Sequence, residues 1–408
     1  MSTIVKYTGI VFGAYVVAEI VFNTYIQYYT LPTLQKKINR YEPLFGSPED
    51  LFVEIIHLIK KFEKYTFTDY LYHVFLGSEV KDIKKGNLDS FLIWLLYGHN
   101  KPDMKKIESV REMVLDTFQY QMEEGLNTSI QHIQCDRDPV NFMYKPLFLF
   151  IGVNTIDLYY RICYYFEGYK KHTAKNFTYY RKEGDHTKPA MIVFHGISSG
   201  WFNYYKLLKT IGEDRTVILI NINSVKINAM YCDYISPSEM KEDIENILQK
   251  HQIEEVCVIG QSWGTFNAGW IARFFPEKVK SMILIDPMAM SFILPESTHY
   301  VVYKKPESIA EYCLCYFVRN AINVSYSIMR HFIWYNESLL LSQVKDIPII
   351  ICAGDCDCIS SVIGIEEIVK QSEGNHQLIL EHNLYHNDFM ANDQALQKLK
   401  AKMIDMSF

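Results

Sequence analysis

From about residue 176 onward, short apolar runs alternate with stretches of helical periodicity. The runs are rich in β-branched residues, which is typical of strands that are buried on both faces of a sheet. Strands that alternate with helices in this way predict an α/β fold with a mostly parallel sheet and helices on both faces. The six runs are AMIVFHG (190–196), RTVILIN (215–221), EEVCVIG (254–260), VKSMILIDP (279–287), IPIIICAG (347–354) and NHQLILEHN (375–383).

The preceding region has the spacing of helices instead. One helix is predicted to begin at Ser47, Pro48 and Asp50, which are an N-cap residue, a first-turn proline and an acid at the capping-box position. Helical periodicity continues through the segments that follow it. We therefore expect a helical extension over residues 36–175 and an α/β domain over residues 176–408.

An apolar segment at the end of this extension, residues 146–169, is long enough to suggest a membrane span. It contains Asp157 and Arg161, however, which are four residues apart and would face each other on a helix. This pair favours a helix packed against the protein over one that crosses a bilayer.

The N-terminal segment carries the one targeting signal that we recognise in the sequence. Residues 7–32 are apolar apart from Glu19, and lysines flank them on both sides. The length suits a bilayer span of about 20 residues, and the tyrosines suit a membrane interface. We expect residues 1–35 to form a single-pass anchor that contacts the membrane through residues 7–30. The alternative is an amphipathic helix on the protein's own surface, because Glu19 would cost roughly 2.5 kcal/mol or more at the bilayer centre.

Composition narrows the classes of partner. The 408 residues are 49% hydrophobic and carry a formal net charge of −6, without a basic tract, which argues for a globular protein and against a nucleic-acid partner. The nine cysteines are irregularly spaced, which indicates free thiols rather than a disulfide framework or a zinc site. The sequence has no phosphate-cradling loop or nucleotide fingerprint, so we expect no cofactor and no metal.

The third apolar run leads into the motif Gly-Gln-Ser-Trp-Gly, which fits the pattern G-x-S-x-G. A helical stretch that ends at Pro276 follows it. Strand, sharp turn and helix are the setting of a nucleophile elbow, in which Gly260 and Gly264 allow the chain to turn tightly and present Ser262 above the sheet. The competing interpretation is a tight turn with an incidental serine.

A serine hydroxyl is a weak nucleophile that needs a base, and that base needs an orienting acid. Asp355 and Asp357 follow the fifth run, and His386 follows the sixth. The carboxyl ends of parallel strands meet at one edge of the sheet, which is where chemistry is expected. We therefore expect Ser262 as nucleophile, His386 as general base and then acid, and an aspartate, Asp357, that orients the imidazole.

These motifs resemble those of the α/β-hydrolase superfamily, in its serine-hydrolase branch, over about residues 176–405. The resemblance implies the α/β-hydrolase fold with an inserted helical cap. In that family the acid is usually the last residue of G-x-x-D, which here is Asp357, with Asp355 and Asp286 as alternatives. His386 fits the family's H-x-x-F pattern. The N-terminal helical extension also resembles that of little-characterised eukaryotic members of the superfamily.

An oxyanion hole requires two backbone N–H groups aimed at the developing negative charge. We expect one from Trp263, directly after the nucleophile, and one from Ile197, which follows His195 and Gly196 in the turn after the first run. His195 itself is expected to be structural.

The stretch from 288 to 345 is too long for a simple loop and is rich in aromatic residues. We expect it to form a cap over an apolar pocket for an acyl or alcohol group. An alternative is that its aromatic residues only pack the cap onto the domain.

Our first functional hypothesis is a membrane-anchored serine hydrolase that cleaves a carboxylic ester, thioester or lipid acyl bond of an apolar substrate. The alternative is a hydrolase fold that has lost catalysis and serves as a binding or scaffold protein. The resemblance disfavours epoxide hydrolase and dehalogenase chemistry, because those enzymes need a carboxylate where Ser262 stands.

Overall fold

The computed structural model of the protein describes residues 2–40, 42–198, 200–212, 214–227 and 234–408. Within these residues, eight strands form one sheet in the order β1-β2-β4-β3-β5-β6-β7-β8. The β1–β2 and β2–β4 pairs are antiparallel, and all the other pairs are parallel. The strands are β1 Lys170–Thr173, β2 Thr178–Lys182, β3 Ala190–Phe194, β4 Val217–Asn221, β5 Val256–Gln261, β6 Val279–Ile285, β7 Ile349–Gly354 and β8 His376–Glu381.

The α-helices fall into five groups along the chain. Their bounds are α1 Ser2–Tyr25 and α2 Leu31–Leu34 at the N-terminus; α3 Pro48–Ile59, α4 Phe67–Val74, α5 Lys85–Tyr97, α6 Met104–Phe118 and α7 Leu147–Phe166 before the sheet; α8 Tyr205–Ile211, α9 Pro237–Lys250 and α10 Gly264–Phe274 between its strands; α11 Met288–Ser291, α12 Pro295–Thr298, α13 Ile309–Leu314, α14 Ile322–Tyr326 and α15 Trp334–Glu337 in the region between β6 and β7; and α16 Val362–Lys370 and α17 Asp393–Asp405 near the C-terminus. Short π-helical turns, Ile26–Thr30, His299–Tyr303, Cys315–Arg319 and Ser327–His331, connect several of them.

The sheet separates two hydrophobic cores because successive residues of a strand point to opposite faces. In β3, Ile192 and Phe194 belong to one core, while Met191 and Val193 belong to the other. The first core also takes in the helical extension, the cap and α10. The second core is covered by α8 and α17. The α/β fold that the sequence predicts, with helices on both faces of a mostly parallel sheet, is therefore observed.

The six strands predicted from the apolar runs are all present, as β3 to β8. The hairpin β1–β2 was not predicted, because its sequences KKHT and TYYRK are polar and short. It places the start of the sheet at Lys170, six residues before the boundary that the sequence suggested. The segment 288–345 is helical, as expected for a cap.

The N-terminal helix runs on from α1 through a π-helical turn into α2. Within the described residues, the span Tyr7–Leu34 is the helix that is long and apolar enough to cross a membrane. Its apolar stretch has a mean hydropathy of 1.6, and only 6% of that stretch is buried. Glu19 accepts a hydrogen bond from the backbone N–H of Leu147 at 2.7 Å and another from the hydroxyl of Tyr144. Its carboxylate is therefore satisfied by the body of the protein, and membrane anchoring stays a prediction.

Candidate active site

Ser262 occupies a sharp turn between β5 and α10. Its φ of +52° lies in the left-handed region, which is uncommon for a non-glycine residue and typical of a strained nucleophile elbow. The two neighbouring glycines are needed for close packing, since a Cβ at Gly264 would overlap the carbonyl oxygen of Phe194 and one at Gly260 would lie 2.6 Å from the carbonyl oxygen of Gly264. The side chain of Ser262 is thereby fixed at the carboxyl edge of the sheet.

His386, in the loop after β8, links Ser262 to an acid. Its Nε2 lies 2.8 Å from Ser262 Oγ, and its Nδ1 lies 2.7 Å from Asp357 Oδ2. The other oxygen of Asp357 accepts hydrogen bonds from the backbone N–H groups of Ile359 (2.8 Å) and Ser360 (3.0 Å), which fixes the carboxylate. The structure thus brings together Ser262, His386 and Asp357 in the order that general-base catalysis requires.

The electrostatics of this group favour a charged imidazole. Burial disfavours the imidazolium form of His386, but the charge and hydrogen bond of Asp357 outweigh burial, and the pKa of His386 rises to about 9. Asp286 adds to this effect through its own charge. Burial raises the pKa of Asp286 to about 6, against the opposing charge of His386. An imidazolium that forms during acyl transfer is therefore stabilised where it arises.

The two alternative acids have other partners. Asp355 contacts the exposed ring of His382 (Nδ1–Oδ2, 2.8 Å) and the backbone N–H of Asn383 (2.7 Å). Asp286 Oδ2 accepts from the backbone N–H of Asn387 at 2.8 Å. Among the described residues, neither carboxylate is hydrogen-bonded to His386. The geometry thus separates Asp357 from the other two candidates.

The two expected oxyanion donors flank the nucleophile. Gly196 approaches it so closely that an added Cβ would lie 2.7 Å from Ser262 Cβ, and the next residue, Ile197, lines the same cavity as Ser262. In the described part of the chain, the N–H groups of Ile197 and Trp263 have no hydrogen-bond acceptor. Their role as oxyanion donors stays a prediction.

His195 has a structural environment. Its Nδ1 lies 2.7 Å from the carbonyl oxygen of Gly196, and its Nε2 accepts from the backbone N–H of Ile222 at 2.9 Å. Burial, together with the charge of Lys226, lowers the pKa of His195 to about 3, so the ring is neutral. The turn after β3 is held in place by this ring.

A buried hydrogen-bond chain that sequence reasoning missed connects the loops around Ser262. The hydroxyl of Tyr204 accepts from the N–H of Gly196 (2.7 Å) and donates to Gln261 Oε1 (2.7 Å). Gln261 Nε2 then donates to Asp286 Oδ2 (3.4 Å), which also accepts from Asn387. Gln261 lies inside the elbow motif, so its position was a signal. Tyr204 and Asn387 had none, because their partners are far away in the sequence.

An apolar cavity of about 250 Å³ opens above Ser262. The thioether of Met288 forms part of its floor, with Sδ 3.2 Å from Ser262 Oγ. Most of the wall comes from the cap, and its apolar residues include Leu314, Val318, Val324 and Ile328. The apolar part of the wall suits an acyl chain or another apolar group. Charged cap residues also line the cavity: Lys304, Lys305, Glu311 and Arg319.

The two carboxylates Asp286 and Asp357 and the ring of His386 also have the spacing of a metal site. One ligand atom each from Asp286, Asp357 and His386 lies within 4.8 Å of the others. Both ring nitrogens of His386 are already engaged, however, by Asp357 and Ser262. A metal at this place would break the contact between base and nucleophile, so the arrangement fits proton transfer better than metal binding.

Comparison with known proteins agrees with this geometry at the level of the fold. Residues 189–391 match a family model described as the alpha/beta hydrolase fold. The chain is 32% identical over 132 residues to a proline iminopeptidase of Clostridioides difficile (strain 630), which covers 30% of this chain and 42% of that protein. It is 23% identical over 116 residues to Epoxide hydrolase 4 of Mus musculus, covering 26% of this chain and 31% of that one.

The chain spans less than half the length of these curated relatives. Among solved structures, a membrane phospholipase A described as a bacterial virulence factor superposes with a TM-score of 0.44 and 16% identity, covering 63% of this chain and 92% of that one. The match over residues 189–391 shows an α/β-hydrolase fold, and the curated relatives show a similarity to hydrolases.

Proposed function

Since residues 189–391 form an α/β-hydrolase-fold domain, we propose that this protein is a serine hydrolase that cleaves a carboxylic ester or thioester of an apolar acyl substrate. The observation that carries the proposal is the continuous hydrogen-bond path from Ser262 through His386 to Asp357, with distances of 2.8 and 2.7 Å. A protein that only binds a ligand has no physical need for all three groups in this geometry.

The chemistry follows from these contacts. His386 Nε2 takes the proton of Ser262 Oγ as the oxygen attacks the acyl carbonyl, and Asp357 stabilises the imidazolium. The N–H groups of Ile197 and Trp263 stabilise the oxyanion of the tetrahedral intermediate. His386 then protonates the departing alcohol or thiol, which leaves an acyl group on Ser262. Water, activated by the same imidazole, hydrolyses this acyl-enzyme and releases the acid.

The substrate class rests on the cavity and the N-terminus. The wall above Ser262 contains a large apolar part, and an extended acyl group that binds against this part would lose water favourably. The long apolar helix around Tyr7–Leu34 supports an N-terminal membrane anchor, which would bring lipid substrates within reach. We therefore propose a membrane-anchored esterase or lipase-like enzyme.

The two kinds of curated relative bear on the reaction in different ways. Ser262 stands at the elbow where epoxide hydrolase chemistry would require a carboxylate, so we do not propose that reaction. Amide cleavage uses the same groups as ester cleavage, and an amide substrate should be assayed beside the esters. The alternative function is a catalytically silent binding or scaffold protein. The observation that supports this alternative is the large helical extension, which catalysis by Ser262, His386 and Asp357 does not require.

The test is labelling of the full-length protein with a fluorophosphonate probe, which reacts only with an activated serine. We expect the wild-type protein to be labelled, and the Ser262→Ala and His386→Ala variants to lose labelling by about four orders of magnitude or more in rate. Ser281→Ala is the matched control, because that serine is also buried but lies in the middle of β6. Labelling that persists in Ser262→Ala would exclude the proposed nucleophile. A folded wild-type protein without labelling or hydrolysis would favour the scaffold alternative.

A further inference from the structure

Helix α7 presents a broad, mostly apolar surface to solvent, which we call the outer face of α7. The polar Asn154 and Thr155 are also exposed on this helix. Eight large apolar side chains lie on it, each between 47% and 81% exposed. Water-soluble proteins rarely expose so many large apolar side chains on one helix face, and a contiguous patch of this kind marks a binding surface. The residues are Phe148, Ile151, Ile156, Leu158, Tyr159, Ile162, Tyr165 and Phe166.

The carboxylate of α7 is turned away from this face. Phe150, Asp157 and Tyr164 are seven residues apart and buried, so they form the inner face of the helix. Asp157 is 2% exposed and pairs with Arg161 and with Lys226, whose Nζ lies 3.4 Å from Asp157 Oδ2. Asp157 is therefore buried on the inner side, while Arg161, whose side chain is 38% exposed, reaches it from the edge of the apolar face.

The outer face of α7 begins beside the N-terminal helix. The rings of Phe22 and Phe150 meet edge to face, with centroids 5.6 Å apart. The first N–H of α7, that of Leu147, donates to Glu19 of α1 at 2.7 Å. Along α1, apolar side chains such as Val21 (62%) are equally exposed. Two exposed apolar helix faces thus meet at one point of the structure.

We infer that the outer face of α7 is a second membrane-contact surface, which lies in the bilayer interface beside the N-terminal helix. Tyrosine and phenylalanine gather at its C-terminal end as Tyr159, Tyr165 and Phe166, and aromatic rings of this kind prefer the level of the lipid headgroups. The exposed Lys170 and Lys171, at the start of β1 and four residues after the helix ends, complement anionic headgroups. The inference concerns membrane contact only and does not depend on the proposed catalysis.

The test must separate α7 from the N-terminal helix, so it needs a local probe in the full-length protein. The five native tryptophans are buried or half-buried, and an added tryptophan on α7 reports its own surroundings. We would place it by Ile162→Trp or, independently, by Leu158→Trp. The protein would be reconstituted into phosphatidylcholine–phosphatidylserine vesicles whose acyl chains carry bromine, which quenches tryptophan in contact with lipid. Ile404→Trp on α17 is the matched control, because Ile404 is 73% exposed on a different helix.

We expect brominated lipid to remove roughly half or more of the fluorescence that each α7 variant adds, because an interfacial helix buries its apolar face among the acyl chains. The emission added by Ile404→Trp should stay unquenched. Absence of quenching in both α7 variants, on protein that is bound to the vesicles, would overturn the inference. Emission that shifts to the blue without quenching, and only at high protein density, would show that a second copy covers this face and would equally overturn it.

Discussion

The hydroxyl group of Tyr204 donates to Gln261 Oε1 at 2.7 Å while it accepts from the N–H of Gly196 at the same distance. Gly196 immediately precedes Ile197, and Gln261 immediately precedes Ser262. One buried hydroxyl therefore ties the turn that supplies the first proposed oxyanion donor to the turn that presents the nucleophile. The separation of the two donors, and with it the fit to an oxyanion, depends on this contact.

Replacing this hydroxyl should reduce turnover more than substrate binding. In Tyr204→Phe, the N–H of Gly196 and the side-chain oxygen Oε1 of Gln261 lose their partner, at a cost of about 1–3 kcal/mol for each buried group. We expect kcat to fall roughly 10- to 100-fold, with a smaller change in KM, because a misplaced oxyanion donor acts on the transition state. Steady-state kinetics with an apolar ester, beside denaturant unfolding, would measure both effects.

The neighbouring Tyr205 supplies the control. Its hydroxyl donates to Glu167 at 2.7 Å, outside the site, so Tyr205→Phe should leave kcat unchanged. If Tyr204→Phe lost stability but kept the wild-type kcat, the hydroxyl would be a structural element without influence on the oxyanion hole.

Asp286 should shift the pH dependence of the reaction. The general base must be neutral, and the raised pKa of His386, about 9, moves the acidic limb of the rate profile above the ordinary histidine value. The ionised carboxylate of Asp286 stabilises the imidazolium and so contributes to this rise. In Asp286→Asn that charge is absent, the pKa of His386 falls, and the acidic limb should move to lower pH by about one unit. The measurement is the rate of fluorophosphonate labelling from about pH 5 to about pH 10. This range extends about one unit beyond the pKa values of Asp286, about 6, and His386, about 9.

Two other aspartates supply controls for this prediction. Asp357→Asn should lower the rate on the plateau of the pH profile by about 10⁴, because it removes the group that orients His386. Its acidic limb should also move to lower pH, because Asp357 raises the pKa of His386. Asp355→Asn should change little, since its carboxylate pairs with the exposed His382. An acidic limb that stays in place or moves to higher pH in Asp286→Asn would contradict the proposed influence of that charge.

The sequence was sufficient for the parts of the molecule that are set by local pattern. The apolar runs marked β3 to β8, and the glycines around Ser262 marked the elbow, since both depend on nearby residues. The hairpin β1–β2 was missed because Lys170–Thr173 has no apolar pattern, and its strands are stabilised by pairing at the sheet edge. The contact of Tyr204 with Gln261 joins residues 57 positions apart, so only the folded chain shows it.

The cap should set the length of acyl group that is accepted. Val318 lines the cavity above Ser262, which has a volume of about 250 Å³. A bulkier side chain at this position would fill part of that volume. We expect Val318→Trp to reduce kcat/KM for long acyl esters at least about 10-fold, because overpacking of an apolar site costs about 1–3 kcal/mol. Short esters should be affected much less. A series of p-nitrophenyl esters of graded chain length measures this selectivity.

Phe317 is the matched control for the cap. It neighbours Val318, is not among the residues that line the cavity and is 38% exposed, so Phe317→Trp should leave the chain-length preference unchanged. An identical loss for short and long esters in Val318→Trp would indicate a general disturbance of the cap instead of a filled acyl site.

The ion pair of Asp157 and Lys226 should contribute strongly to stability, because both side chains are at most 4% exposed. Burial lowers the pKa of Lys226 to about 8, so the ammonium group is still charged at neutral pH and needs its partner. Asp157→Asn should therefore lower the free energy of unfolding by about 3–5 kcal/mol, as expected when one member of a buried pair is removed. The double variant Asp157→Asn/Lys226→Met should recover part of this loss, because it leaves no buried charge at position 226.

The pair of Glu167 with Lys209 is the control for this prediction. Glu167→Gln affects a half-exposed ion pair and should cost less than about 1 kcal/mol. Urea unfolding at pH 7 would compare the variants, and a loss for Asp157→Asn as small as that for Glu167→Gln would show that water reaches the pair and that α7 is held to the domain mainly by its apolar contacts.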